Sequence, residues 1–515
     1  MTAKRAGSCF WVAPLLALGA SASPALAQAK AELPEQQWSR WVPAQYARSN
    51  SATALPVPPR WWTEFGNAEL DELIAITLAN NGDLQAAIAR VAQSEARGRV
   101  SRAGQSPTID AIMRAERRAP EFGIGTAPTR ADYRSRKIYQ AGLRVAYEVD
   151  LWGRGSYQTA SALAQVRAST FARDALALSL IADVSTAYFE VLMLRDHVAL
   201  ALADVETAKK IQSSVERRVA LGDLSLFEQE QQAMLVMDAQ ARLYEKQQSL
   251  ARAEGDLAFL TGRPVNMLQV QARSLADLKI PNVEPGLPAA LICRRPDIRQ
   301  VEAELAGARA NVGLARKSLM PSFNLTAEGG YGTSNLTNAL APQSIFTSLV
   351  GQFVQSVFDG GRRRGEIAAG KAFEQELLER YRSSILRGLR DVEEALSGVQ
   401  FTQERLLALD ESSSRADRLV TLSLRVFERG ALDYGGLLES QRLQLRTRTQ
   451  AVEARYDRLR AAVDLYKSLG GGMTFKNDSC VAPEMGHDRD AEPAPTGALA
   501  PQKSPEQPRK KLKRW

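Results

Sequence analysis

Two histidines, His197 and His487, and three cysteines, Cys9, Cys293 and Cys480, are the residues of this 515-residue chain whose types could ligate a transition metal or supply a nucleophile and its base. Their spacing does neither. The sequence holds no metal-ligand spacing, no glycine loop placed after a strand to cradle phosphate, and no nucleophile elbow. Gly329-Gly330 and Gly470-Gly471-Gly472 share only composition with ligand loops and read as the ends of a strand and a helix. His197 falls in a long helical pattern, where a solvated or packed structural role is expected, and His487 falls in a tail rich in proline and charge. An oxidising compartment would permit Cys293 and Cys480 to pair, but spacing alone gives no geometry for the bridge. No catalytic residue, cofactor-binding residue or metal ligand is nominated, and the chain is not read as an enzyme.

The start of the chain bears on where any other activity would lie. Lys4 and Arg5 precede an apolar stretch from Phe10 to Leu18 that runs into Ser23-Pro24-Ala25-Leu26-Ala27. That order reads as a secretory signal peptide over residues 1–27, cleaved after Ala27, with an uncleaved anchor as the alternative. Cys9 lies too early to be the lipidated cysteine of an export signal, so no N-terminal lipid is expected. After Ala27 no run of about 18 uncharged apolar residues follows, so no transmembrane helix is expected. An exported chain of this kind is soluble, or it crosses a membrane as β-strands.

Lys and Arg number 66 against 58 Asp and Glu, a net charge of +8. The signal segment takes two of the positive charges and Lys503–Trp515 carries a net +5, which leaves about +1 across residues 28–502. A balanced body offers no nucleic-acid surface, and the basic character belongs to the tail.

Between the ends the same pattern runs twice. Asp83-Leu84-Gln85-Ala86-Ala87 opens a helix that ends at Ser106-Pro107, and Asp297-Ile298-Arg299-Gln300-Val301 opens another that ends at Met320-Pro321. The aspartates are 214 positions apart, and so are the prolines. Gly153-Arg154 and Gly361-Arg362 are related by an offset of 208, as are Gly222 and Gly430. A duplicated unit with one loop of different length accounts for both offsets; chance similarity between helical stretches is the alternative. Each unit reads helix, strand, loop, strand, long helix, short turn, helix. Ser156–Leu221 contains neither Gly nor Pro, and Leu176, Leu180, Val184, Ala187, Val191, Leu194 and Val198 recur at steps of three or four. Leu389, Val392, Leu396 and Val399 do the same in the second unit. Such seams belong to coiled coils, and a helix of that length extends about 100 Å at 1.5 Å per residue. The expected shape is a tube or a rod.

Tyr139, Ala141, Leu143, Val145, Tyr147 and Val149 alternate with Gln140, Gly142, Arg144, Glu148 and Asp150. Ile109, Ala111, Met113 and Ala115 alternate with Asp110, Arg114 and Glu116, with Ile112 out of step, and Phe323, Leu325 and Ala327 alternate with Asn324, Thr326 and Glu328. A fourth, less regular strand is placed around Leu349–Phe358. Period two with charge on one face suits strands with lipid outside and water inside, and it equally suits a soluble, half-buried hairpin. Four strands cannot close a barrel, and an open edge in hydrocarbon leaves backbone groups unpaired. A spanning version must be oligomeric, and three chains would supply 12 strands.

These residues resemble the TolC-type outer-membrane factor family, in its NodT-like branch, over roughly residues 38–472. The resemblance rests on Trp61–Leu70, Asp83–Arg90, Asp150-Leu151-Trp152-Gly153-Arg154, Arg294-Arg295-Pro296-Asp297-Ile298, Met320-Pro321-Ser322-Phe323, Phe358-Asp359-Gly360-Gly361-Arg362 and Arg425–Gln441. It implies a fold that is mainly α with a transmembrane β part: a homotrimeric 12-stranded β-barrel, four strands per chain, continued by a long periplasmic α-helical coiled-coil barrel. The expected organisation is a signal peptide (1–27), an extended strap (28–64), a first repeat (65–260, hairpin about 108–150, tip turn 217–225) and an equatorial linker (261–295). A second repeat (296–469, hairpin about 322–358, tip turn 425–434), a C-terminal equatorial segment (470–480) and a disordered Pro-rich basic tail (481–515) complete it. The implied function is an outer-membrane efflux duct of a Gram-negative bacterium, passive and without cofactor, in the class that serves multidrug resistance. Its implied partners are outer-membrane lipid, a periplasmic adaptor (membrane fusion) protein and an inner-membrane pump of the resistance-nodulation-division (RND) class. A type I protein secretion duct and a soluble periplasmic coiled-coil scaffold are the alternatives.

The two tip turns are the candidate site. Gly222 and Gly430 end long helices, where glycine takes the left-handed conformation, and Asp223 or Ser225 and Asp433 stand where a side-chain oxygen caps the next helix. By resemblance the turns form the periplasmic mouth that meets the adaptor and opens on engagement. The nominated gate and contact residues are Arg217, Gly222, Asp223, Ser225, Arg425, Phe427, Gly430, Asp433, Tyr434 and Glu439. Three copies of Asp433 around a narrow axis would favour cations, whereas helix capping is its other reading.

Overall fold

A computed structural model describes residues 42–43, 45–47, 57–118, 136–283, 293–338 and 341–472. The signal peptide with Ala27, most of the strap, Cys480, linker residues 284–292 and the basic tail lie outside them. Cys293 is disulfide-bonded.

The duplication is visible in the elements. The first unit comprises α2 (Gly82–Ala103), β1 (Thr108–Arg118), β2 (Arg136–Val149), α3 (Arg154–Ala220) and α4 (Leu226–Thr261). The second comprises α5 (Pro296–Lys317), β3 (Ser322–Thr333), β4 (Ile345–Val354), α6 (Arg362–Glu428) and α7 (Tyr434–Ser468). Helices α3 and α6 have 67 residues each, so each runs about 100 Å. Both start from a left-handed glycine, Gly153 (φ 76°) and Gly361 (φ 89°). A nearby carboxylate supplies the acceptor that glycine lacks: Asp150 accepts from the amide of Ser156 at 3.2 Å, and Asp359 from those of Gly361 and Arg363 at 3.0 and 3.3 Å. The Trp152 indole donates to the Pro321 carbonyl at 2.8 Å and so ties the first unit's strand-to-helix junction to the helix-to-strand junction between α5 and β3 of the second.

The four strands make one antiparallel sheet in the order β1-β2-β3-β4. The fourth strand spans Ile345–Val354, earlier in the chain than the alternation around Leu349–Phe358 suggests. Its apolar residues fall on both faces, so period two does not mark its ends, and Val357 and Phe358 lie beyond it in the exposed turn before α6.

A 13-residue helix, α1 (Ala68–Asn80), precedes the duplicated unit. Asn67 caps it by accepting from Leu70 N, and Leu70, Leu73, Ile74 and Thr77 form its buried stripe. Around it lies the largest core. Trp61 stacks on Tyr466 with ring centroids 4.9 Å apart, and Phe65 packs on Phe189 at 5.0 Å. The middle of α3 belongs to this core, which explains why α3 also contains an 18-residue window apolar enough, by composition alone, to cross a membrane. The chain after α4 crosses this core and is held by arginines. Arg195 donates to the carbonyls of Val270 and Ala272, and Arg455 to those of Leu275, Ala276 and Leu278. Glu69 accepts from the amides of Gln271 and Ala272. These bonds satisfy backbone that has no ladder of its own.

Towards the sheet α3 packs on α2 and α5, and α6 on α5; beyond the core α3 packs on α4 and α6 on α7. His197, on α3, is 6% exposed and its Nε2 has no hydrogen-bond partner. Burial, then the Lys246 ammonium, lowers its pKa, against the opposing pull of Asp196 and the Thr449 carbonyl. The folded chain therefore prefers the neutral ring. The stability that burial of the neutral ring allows is fully present above the unfolded imidazole value and is lost as pH falls from there through the lower folded value. Thermal unfolding followed from pH 7.5 to 5 is expected to show a loss of Tm on acidification that is smaller in His197→Leu; equal losses would contradict it.

Candidate functional site

The sheet has two chemically distinct faces, which the register aligns across all four strands. One carries Ile109, Met113, Ala141, Leu143, Val145, Leu325, Ala327, Leu349 and Phe353, with Ile109, Val145, Ala327 and Leu349 in one apolar row across β1–β4. Ile109, Met113, Leu143, Leu349 and Phe353 are bare in the single chain: Met113 is 91% exposed and Leu349 72%. An apolar face of this size has no soluble use unless something covers it. The other face carries the charge. Asp110, Arg144, Glu328 and Ser348 stand in one cross-strand row, with Arg144 Nε 2.5 Å from Glu328 Oε1. Glu148, Asn324 and Gln352 form a second row.

Gly142 and Gly330 face each other on the charged side. A Cβ on Gly142 would lie 2.3 Å from the Gly329 oxygen, and one on Gly330 would lie 2.2 Å from the Ala141 oxygen. Neighbouring strands in a flat sheet do not approach so closely on one side, so the sheet folds towards its charged face here. The charged face is the concave one. Among the described residues β1 and β4 each have a partner on one side only.

At the far end of the molecule the two helix turns lie side by side. Gly222 (φ 83°) ends α3, and Asp223 N donates to the Arg218 carbonyl behind it. Ser225 caps α4 in a reciprocal box with Glu228. Gly430 (φ 76°) ends α6, and Asp433 caps α7 by accepting from Gly436 N at 3.0 Å. Ile211, Val215, Phe427, Tyr434 and Leu437 form a small core shared by both turns.

The nominated residues thus separate into groups. Phe427 and Tyr434 are buried between the turns; Gly222, Gly430, Ser225 and Asp433 shape and cap them; Asp223 pairs with Arg218 at 4.0 Å. Arg217, Arg425 and Glu439 are exposed and do not join that cluster. Two residues that were not nominated do. The Arg218 guanidinium lies 4.7 Å from the centroid of the Phe427 ring. Gln232, 2% exposed, accepts from the Tyr434 hydroxyl and donates to the Ala208 carbonyl at 2.9 Å. The first turn also presents Leu221, Leu226 and Phe227, each at least 70% exposed.

No group of three or more His, Cys, Asp or Glu residues placed to hold a metal occurs among the described residues. The family described as outer membrane efflux protein matches residues 73–263 and 287–471, one segment per unit. The pyoverdine export outer membrane protein OpmQ of Pseudomonas aeruginosa is 34% identical over 415 residues, covering 80% of this chain and 87% of that protein. The solvent efflux pump outer membrane protein SrpC of Pseudomonas putida is 29% identical, covering 83% and 90%. The solved structure of the outer-membrane channel OprN superposes with a TM-score of 0.78 at 25% identity, covering 84% of this chain and 96% of that one.

Proposed function

Because this chain belongs to the outer membrane efflux protein family, and is thereby an outer-membrane channel of efflux systems and not an enzyme, we propose that three copies close one conduit. The observation that carries this reading is the four-stranded sheet with one bare apolar face and an open strand at each side. In hydrocarbon each unpaired backbone group costs several kcal/mol, so β4 of one copy must pair with β1 of the next. Four strands is an even number, so that new pair is antiparallel like the other three, and three copies give a closed barrel of 12. The concave charged face lines the water path. The paired long helices continue it through the periplasm towards the turns at Gly222 and Gly430. Unboiled protein extracted with detergent from outer membranes is expected to migrate at three times the chain's mass and to collapse to one on heating. Recovery as a monomer without detergent would overturn the reading.

The turns are the gate and the docking surface. Exposed Leu221, Leu226 and Phe227 suit the apolar tips of a periplasmic adaptor, which would link the duct to an inner-membrane pump of the RND class. At rest the α6–α7 turn is held against the α3–α4 turn by the Tyr434–Gln232 bond and the Arg218–Phe427 contact; opening separates the two turns. Asp433 acts on this device either through its cap or through its charge. Asp433→Ala removes both, with a capping cost of about 1 kcal/mol, whereas Asp433→Asn keeps the cap. A rise in resting single-channel conductance in the alanine variant alone assigns the effect to the cap. An equal rise in both assigns it to the charge, and no rise in either removes Asp433 from the gate.

A further inference from the structure

The apolar face of the sheet has an exception at one end. Of the residues that the register places on that side, from Ile109 to Arg117, Lys137 to Val149, Phe323 to Thr333 and Ile345 to Phe353, only Arg117 and Lys137 are charged. Both are positive, both are exposed, and they are cross-strand partners. Like charges directly opposite one another destabilise a strand pair. No carboxylate of the described strands offsets them from the same side, because Asp110, Glu116, Glu148 and Glu328 all belong to the concave face. The residues between the strands do not restore the balance either. Residues 117–137 contain six Lys and Arg against Glu121 and Asp132, a net +4. Residues 333–345, at the same end of the second hairpin, contain no charge at all.

The level of the pair along the strands says what it meets. Tyr139 is two residues from Lys137, with Tyr331 diagonally across on β3, and at the opposite end Val149, Phe323 and Phe353 form one row. The ten residues from Tyr139 to Val149 span about 34 Å along the strand, or about 25 Å across the membrane at a tilt of about 40°. That is the height of a barrel's apolar band, with tyrosines at its rim. The long helices leave from the Val149 end, so the tyrosine rim faces the cell exterior. Arg117 and Lys137 stand about 7 Å along the strand beyond that rim, where the outer leaflet of a Gram-negative outer membrane holds the phosphates of its glycolipid. A guanidinium takes a phosphate through two parallel N–H bonds and an ammonium takes it as a point charge, so one phosphate between them turns repulsion into a bridge.

We infer that Arg117 and Lys137 form a binding site for a headgroup phosphate of the outer-leaflet glycolipid, one site per copy. This rests on the trimeric-barrel reading given above, in which the three sites alternate with uncharged second hairpins around the rim.

The test is native mass spectrometry of the purified full-length oligomer, stripped of lipid in detergent and titrated with diphosphoryl lipid A. The wild type is expected to retain up to three molecules, and to bind the dephosphorylated glycolipid with the same acyl chains at least tenfold more weakly. Arg117→Gln combined with Lys137→Gln should abolish that preference. Arg117→Lys should keep most of it, and Lys209→Gln, on the periplasmic α3, should leave it unchanged. Inorganic phosphate at hundredfold excess should leave the lipid in place; displacement would mean a site for the free ion and overturn the lipid assignment. A wild-type oligomer that binds both glycolipids equally, or a preference that survives in the double variant, also overturns the inference. If the wild-type chain yields only monomers, the barrel reading itself fails.

Discussion

Gly330→Ala is expected to abolish assembly of the channel, lowering the heat-sensitive oligomer at the outer membrane by more than tenfold. The single added carbon would lie 2.2 Å from the Ala141 oxygen and 2.5 Å from the Gly142 Cα. Both are backbone atoms, so no side chain can rotate away, and the strands themselves must part. Parting them breaks the β2–β3 ladder around Ala141↔Tyr331 and Leu143↔Gly329. In water a broken ladder bond is replaced by solvent. In hydrocarbon it is not, and each orphaned group costs several kcal/mol, enough to exceed the whole stability margin of an ordinary domain when two or three are lost. The neighbouring substitution is the control. A Cβ on Gly329 meets nothing closer than the Phe346 oxygen at 3.8 Å, so Gly329→Ala should assemble normally. Comparing unboiled and boiled outer-membrane fractions by gel separates the two. Wild-type assembly of Gly330→Ala would show that the close approach of β2 and β3 is dispensable.

Much of this architecture was legible because it is periodic. The offset of 208 that relates Gly153 to Gly361 and Gly222 to Gly430 places four left-handed glycines, each at the end of a long helix. The alternation from Tyr139 to Val149 gave the apolar and charged faces of β2 directly, since period two maps a residue to a face without further information. Where the pattern failed, the reason is physical. Strand β4 has Leu349 and Phe353 on one face and Phe346, Val350 and Val354 on the other, so alternation could not set its limits. Ile112, which looked like a defect in β1, is the residue opposite Gly142. Gly329-Gly330 reads as a strand end in the sequence, yet both residues lie inside β3, and neither there nor at Gly142 does anything local say that two backbones will approach. At the tips, sequence reasoning named Phe427 and Tyr434 yet chose Arg217 over Arg218, a difference of one position that only helix packing decides. Gln232 carried a signal that could have found it. It precedes Val236, Ala239 and Leu243 at steps of four, three and four, so it is a polar residue in the buried seam of α4. A polar residue in a seam asks for a partner.

That partner makes the largest effect on gating predictable. Tyr434, 8% exposed, donates its hydroxyl to Gln232 Oε1, and Gln232 Nε2 donates to the Ala208 carbonyl one helix further on. The amide therefore joins the second hairpin to both helices of the first. Gln232→Leu keeps the size of the side chain but leaves the phenol buried without a partner, while the Ala208 carbonyl, inside α3, keeps its intrahelical bond. A buried donor or acceptor left this way costs about 1–3 kcal/mol. Separation of the turns restores water to the phenol, so this penalty falls on the resting state and is relieved in the open one. At about 1.4 kcal/mol per factor of ten, the open-to-closed ratio rises by roughly fivefold to a hundredfold. Tyr434→Phe removes only the donor, and Gln232 retains Ala208, so its effect is smaller. Once Gln232 is leucine, removing the phenol hydroxyl relieves an orphan rather than creating one. The double variant should then leak less than the sum of the two single effects requires. Resting conductance in planar bilayers, and entry of antibiotics too large for ordinary porins in cells, read the same equilibrium independently. Wild-type values in both measurements for Gln232→Leu would mean that the two turns part without breaking this bond, and that the gate lies elsewhere on the helices.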